Sequence, residues 1–262
     1  MILDKGRNNK NLVMQKAGVN SYSVLFRKIR GKIMILILDV IKNDDASFRF
    51  RKSIERVLKN DYKYVFKRIY SNDLNIDYSK YSKLIISGSE LSASSQHLEQ
   101  KEVFSVINEF IFAGKPILGI CYGHQMLARL LAGDETCVPA KTPEFGFTRL
   151  DIRENDLFEG ITQAVFMQSH FDQVVNLDDS FKIIASNDKV KIQAFQWDNF
   201  PVWGVQFHPE LNWEEGSKML ERNLKEDARV KDYANYDCEN AKCAEQAQLV
   251  LINFCKLGER NG

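Results

Sequence analysis

Five cysteines and four histidines are the side chains in this 262-residue chain best suited to nucleophilic or metal chemistry. One cysteine stands apart. In "GICYGHQ", Cys121 lies between Gly119 and Gly123, where the apolar run "PILGI" gives way to a helical pattern carried by Met126, Leu127, Leu130 and Leu131. A thiol on such a strand-to-helix turn sits at the carboxyl edge of a sheet, where open parallel sheets bind ligands. Flanking glycines remove Cβ atoms that would crowd the turn, as in the serine elbow G-x-S-x-G. The helix start aims free N–H groups at the sulfur, which favours a thiolate. From this segment alone, a nucleophile and a buried structural cysteine are equally good readings.

A nucleophilic cysteine needs a base, and the base an orienting group. His97 lies among serines and reads as a solvated side chain, whereas His124, three residues past Cys121, reads as local packing. His208 is placed differently. In "VWGVQFHPE", strand alternation puts Gly204, Gln206 and His208 on one face, and Pro209 ends the strand. Glu210 then falls within reach of the imidazole, completing a candidate triad of Cys121, His208 and Glu210. Spacing alone leaves open a half-exposed His-Pro-Glu turn.

The elements that position these residues follow from hydrophobic periodicity. "KIMILILDV", "KYVFKRIY", "KLIISG" and "PILGI" are short strand-like runs. Between them come helical patterns: one capped at Asn43–Asp45 with Phe50, Ile54, Val57 and Leu58 on a face, and another ending at Gly114 and Pro116. This alternation predicts an open, mostly parallel α/β sheet with helices on both faces. From Thr148 to His208, shorter strands ("VFMQSH", "FKIIAS", "KIQAFQW", "PVWGVQFH") predict a smaller antiparallel portion joined to the same sheet. Residues 241–256 read as a closing helix with Ala244, Ala247, Leu251 and Phe254 on one face. The charged stretch Leu211–Asn240 reads as a solvated helix, with a lid or partner surface as the alternative.

Composition sets outer limits. Apolar residues make up 44% and charged residues 27%, an ordinary globular balance. No run approaches the roughly 18 apolar residues of a membrane span. The first 32 residues hold eight Lys/Arg against Asp4, leaving 28 bases against 34 acids. That body has no obvious nucleic-acid surface. We read residues 1–32 as a basic extension, either a solvated tail, a targeting arm or sequence upstream of a start at Met34, and residues 33–262 as one domain. Cys238 and Cys243 have no second ligand pair nearby, so no zinc site is expected, and the odd cysteine count suggests reduced thiols in a cytoplasmic protein.

"GICYGHQ" together with "GVQFHPE" resembles the class I glutamine amidotransferases, and "CYGHQ" and "SHFD" look most like their GMP-synthase branch. "EFGF", "DLFEG" and "MQSHFDQV" are similar to further landmarks of that family, from Ile35 to about Glu210, and "LVLINF" to its ending. The resemblance implies the flavodoxin-like fold of that family and a glutamine side-chain amide as substrate. It implies attack by Cys121, proton transfer by His208, support of His208 by Glu210, and an oxyanion hole from backbone N–H groups of Tyr122, Gly88 and Ser89. It also implies substrate contacts from Gln125, Ser169 and His170, with a solvent-facing helix-start side chain as the alternative for Gln125 and a structural turn role for His170. We expect no metal or cofactor, and since no G-x-x-x-x-G-K-[ST] loop is present, a synthetase that takes the ammonia would be a separate chain or absent. One departure stands out: "SGSELS" replaces the family's S-G-G-P-x-S, putting Ser89 for glycine and Glu90 for proline. If that position needs positive φ, serine strains the loop. The departure favours, as an alternative, a hydrolase of γ-glutamyl peptides or amines; a non-catalytic regulatory member is the lesser alternative.

Overall fold

The computed structural model describes residues 34–71, 75–198, 200–238 and 240–258; the basic extension therefore lies outside the described residues. Among these, eight strands form one sheet in the order β2-β1-β3-β4-β10-β9-β8-β6. They are β1 (Met34–Asp39), β2 (Lys63–Arg68), β3 (Lys83–Ile86), β4 (Ile117–Ile120), β6 (Asp151–Ile152), β8 (Phe181–Ser186), β9 (Ala194–Trp197) and β10 (Val202–Val205). The first five in sheet order run parallel, and β9, β8 and β6 continue antiparallel. This is the expected α/β architecture.

Helices cover both faces. Leu36 and Leu38 pack with Val103, Val106, Ile107 and Phe110 of α2 (Gln100–Phe112) and with Met126, Leu127 and Leu130 of α3 (Tyr122–Ala132). Ile35 and Ile37 face the other way, onto Phe50, Ile54 and Val57 of α1 (Asp44–Leu58). Such strands are apolar on both faces, which explains the unbroken run that replaces period-two alternation. Asn43 caps α1 by accepting from the Ala46 N–H at 2.9 Å, and Gly114 takes a φ of 62° beyond the end of α2, as expected for a C′ glycine.

The antiparallel half departs from expectation in three ways. "VFMQSH" belongs to β7 (Val165–Val174), which leaves the large sheet and pairs with the long β5 (Cys137–Arg149). With β11 (Ala234–Tyr236) these form a second, three-stranded sheet around Phe145, Phe147, Val165 and Met167. The strand before the histidine ends at Val205, not at Pro209: Gln206 N still donates to Gln193 O at 2.8 Å, but His208 N donates to Met167 O of β7 at 2.9 Å. His208 therefore sits on a bridge between the two sheets and not on a strand face. The closing segment is not one helix; a 3₁₀ turn at Ala241–Ala244 precedes α5 (Leu249–Lys256).

Residues 211–240 hold α4 (Trp213–Glu226), then a 3₁₀ turn and β11. Asn212 and Glu215 form a reciprocal capping box at its start, satisfying two orphan N–H groups. Cys238 and Cys243 are joined in a disulfide, correcting the expectation of reduced thiols for this pair; Cys121, Cys137 and Cys255 are free. The fold brings the two half-cystines together just past β11, a closeness their spacing did not reveal. No helix among the described residues is long and apolar enough to cross a membrane.

Candidate active site

Cys121 occupies the turn between β4 and α3 with φ 49° and ψ −101°. Non-glycine residues rarely adopt this backbone, and it is held here by its surroundings. The Cys121 N–H donates to Val205 O at 2.8 Å, and its carbonyl accepts from Gln125 N at 3.1 Å. The glycines on either side serve close approach and not positive φ. A Cβ on Gly119 would lie 2.5 Å from the backbone of Gly123, and one on Gly123 would lie 2.8 Å from Ile86 O. The strained residue is the cysteine itself.

The three expected triad residues meet in one pocket. His208 Nδ1 and Glu210 Oε1 are 2.9 Å apart, and both residues are buried. The other carboxylate oxygen, Oε2, is buried without a hydrogen-bond partner among the described residues, so the charge is not diluted by other donors. Burial pulls the His208 pKa down, but Glu210 and the Cys121 sulfur outweigh it and raise the value to about 10. The imidazole is therefore held as a cation between two groups that benefit from its charge. His124 behaves oppositely: fully buried against Phe195 (4.8 Å between ring centroids), it is driven down to about 3, mainly by desolvation. It stays neutral in the core, as its packing role predicts. His97 is tied through Nε2 to Ser92 O at 2.9 Å.

The other expected contacts converge on the same cavity, lined by Gly88, Ser89, Gln125, Ser169 and His170. Gly88 is so close that an added Cβ would lie 3.2 Å from His208 Cε1 and 3.6 Å from Cys121 Cβ. Tyr122, the residue after Cys121, opens α3 with its side chain buried and is not among the residues lining the cavity. Gln125 is buried, not solvent-facing: Nε2 donates to Asp172 O (3.1 Å) and to Gln206 Oε1 (3.0 Å). Ser169 O lies 3.8 Å from Cys121 Sγ, and His170 Nδ1 is 2.9 Å from Asp172 O.

The unusual "SGSELS" loop is unstrained at its serine. Ser89 is absent from the positive-φ residues, so the expected backbone penalty does not arise. Glu90 is held by the backbone N–H groups of Lys42 (3.2 Å) and Asn43 (2.6 Å). Asp172 closes the far side of the loop by accepting from Ser92 Oγ (2.7 Å) and Ser94 Oγ (3.0 Å).

Three contributors escaped sequence reasoning. Gln206 donates from Nε2 to Cys121 Sγ at 3.6 Å; its shared alternation with His208 was the available signal. Asn223 of α4 donates to Ser169 Oγ at 2.8 Å, fastening the helix to the wall beside the sulfur. Arg56 of α1 donates to Glu210 O (2.8 Å) and forks onto Glu215 (3.0 and 2.5 Å). Neither α4 nor α1 carries a local motif announcing these roles. Both Arg56 and Glu215 are about one-third exposed, so Arg56→Ala is expected to cost about 1 kcal/mol in a denaturant melt. It should also lower turnover more than that loss explains, because the Glu210 backbone is released.

The glutamine amidotransferase class-I family model matches residues 44–226. Glutamine-hydrolysing GMP synthase 1 of Bacteroides thetaiotaomicron is 40% identical over 155 residues, covering 57% of this chain and 30% of that protein. One subunit of the glutamine-hydrolysing GMP synthase of Pyrococcus furiosus is 35% identical over 129 residues, 48% of this chain and 63% of that one. The chain thus spans under a third of the length of the first of these relatives. A solved glutamine amidotransferase from Thermotoga maritima superposes with TM-score 0.68, covering 88% of this chain and 100% of that one at 19% identity; this likeness speaks to fold alone.

Proposed function

Since the chain belongs to the class I glutamine amidotransferase family, we propose that it hydrolyses the side-chain amide of glutamine to glutamate and ammonia through a γ-glutamyl thioester. The observation that carries this reading is the meeting of a strained Cys121 with the buried His208–Glu210 pair in one pocket. The Cys121 sulfur attacks the amide carbon, and the carbonyl electrons move onto oxygen. Backbone N–H groups of Tyr122, Gly88 and Ser89 receive that oxyanion, where preorganised donors lower the barrier most. The cationic His208 gives its proton to the departing nitrogen, releasing ammonia. The neutral ring then takes a proton from water, whose oxygen displaces sulfur from the thioester carbon to give glutamate. Glu210 fixes the ring and offsets its charge, while Gln125, Ser169 and His170 line the cavity where the substrate lies.

The reading includes a cytoplasmic site of action and a separate synthetase chain that consumes the ammonia. The Pyrococcus furiosus relative, itself one subunit of its synthase, supports a divided enzyme. A second reading, hydrolysis of γ-glutamyl peptides or amines by the same residues, is favoured by the cavity of about 600 Å³, since pockets of about 300–1,000 Å³ enclose ligands of drug size.

The test is ammonia release from glutamine by wild type and Cys121→Ala, with labelling of Cys121 by a glutamine-mimicking diazoketone. Release and labelling in wild type only are expected. Turnover confined to γ-glutamyl peptides or amines would replace the first reading by the second, and inertness to every substrate and to the label would overturn both.

A further inference from the structure

The pocket extends past the triad to the facing surfaces of two helices. Arg49 and Phe50 of α1 line it on one side, and Met219, Arg222 and Asn223 of α4 on the other. Most charged groups around this space are already engaged. Glu210 holds His208, Asp172 accepts from Ser92 and Ser94, Glu90 accepts from two backbone N–H groups, and Asp227 pairs with Arg229 at 2.6 Å. Arg49, Arg222 and Glu226 differ: all three line the pocket, and the Glu226 carboxylate offsets only part of the two positive charges. Among the described residues, neither guanidinium has a hydrogen bond or an ion pair, although both face the cavity.

The two cations also feel each other. Burial, and then the Arg49 charge, pull Arg222 below the usual arginine range, and Glu226 and Glu221 offset this only in part. Two like charges left facing one space are relieved by an anion between them. Guanidinium forks match a carboxylate in plane and spacing, and they are more weakly hydrated than ammonium groups.

Resting on the γ-glutamyl chemistry above, we infer that Arg49 and Arg222 form an anion subsite at the outer end of the pocket, which takes a carboxylate of the substrate. That carboxylate is either the α-carboxylate of the glutamyl half or one carried by the leaving amine. The site reads substrate charge; it takes no part in bond breaking. Because α4 follows the Glu210 turn directly, the helix that bounds the active site also supplies its charge filter.

The subsite can be read without turnover, from alkylation of Cys121 by iodoacetate and by neutral iodoacetamide, followed by mass spectrometry. In Arg49→Gln/Arg222→Gln the iodoacetate-to-iodoacetamide rate ratio is expected to fall about tenfold, and Arg222→Lys alone should retain most of it. An unchanged ratio overturns the subsite even if glutamine is hydrolysed. A lowered ratio in a protein that releases no ammonia supports the subsite while the hydrolase reading fails. Two substrate pairs then locate the carboxylate: glutamine against its α-amide, and γ-glutamylglycine against γ-glutamyl methylamide. Loss of the wild-type preference in the first pair assigns the α-carboxylate, and loss in the second the leaving amine. A double variant that keeps both preferences removes the proposal.

Discussion

Glu210→Gln is expected to lower glutamine hydrolysis by roughly 10²–10⁴-fold, the scale seen when the orienting carboxylate of a triad becomes an amide. The 2.9 Å contact between Glu210 Oε1 and His208 Nδ1 holds the ring with one nitrogen toward the sulfur. An amide in that place donates as readily as it accepts, so tautomer and orientation are no longer specified. The pH dependence should change as well. Burial alone would depress the His208 pKa, and Glu210 is the largest influence opposing it, bringing it to about 10. Without that charge the imidazolium is lost at lower pH, so the alkaline limb of kcat/KM should move down from near pH 10.

The same shift has a stability consequence of definite sign. A histidine whose folded pKa is raised above its ordinary value, about 6.5, binds its proton more tightly when folded. The stabilisation is complete below about pH 6.5 and disappears as pH rises through about 10. Wild type should therefore lose more stability than Glu210→Gln between pH 6 and pH 10 in parallel denaturant melts. An alkaline limb that stays in place in the variant would remove Glu210 from the electrostatics of the site.

Gly119→Ala is the second large effect expected. The new methyl group would lie 2.5 Å from the carbonyl carbon and oxygen of Gly123 and 2.7 Å from His124 N. All three are backbone atoms in the first turn of α3, so no rotamer change relieves the clash and the helix start must move. Overpacking of this kind costs about 3 kcal/mol or more. For a domain of this size that lowers Tm by roughly 6–12 °C. Activity should fall further than stability, because the displaced turn carries Cys121. Gly114→Ala is the control: its φ of 62° disfavours alanine, but nothing lies within 4 Å of the added carbon, so about 1 kcal/mol and no specific loss of activity is expected. Equal melts for the two variants would show that close approach is not what Gly119 provides.

Much of this was legible because its causes are local. Ile35 to Leu38 form a strand buried on both faces, and continuous apolar side chains announce that. Asn43 and Gly114 mark helix ends through features spanning a few residues. Cys121 announced itself by sitting where an apolar run meets a helical stripe, and Glu210 by its two-residue spacing from His208.

Where the chain had a choice between two non-local partners, local pattern was silent. "VFMQSH" is as good a strand for the large sheet as for the small one. Its place beside β5 is decided by a register of nine pairs, from Cys137–Val174 to Arg149–Val165. The early end of β10 follows from that choice, since His208 N is drawn to Met167 O of the small sheet. Ser89 shows the same dependence in reverse: its φ is not positive, so the expected strain does not arise in this loop, which Ser92 and Ser94 hold onto Asp172.

The sequence by itself determined the alternating α/β order, the thiol on its turn and the residues of the candidate triad, because hydrophobic period, capping and short spacings are properties of neighbours along the chain. Only the tertiary structure decided that Gln206 reaches the sulfur, that Arg56 clamps the Glu210 turn and that Arg222 and Arg49 line one pocket. Those juxtapositions bring together residues 85, 154 and 173 positions apart. Such pairings are set by how sheets and helices pack, which no local pattern encodes.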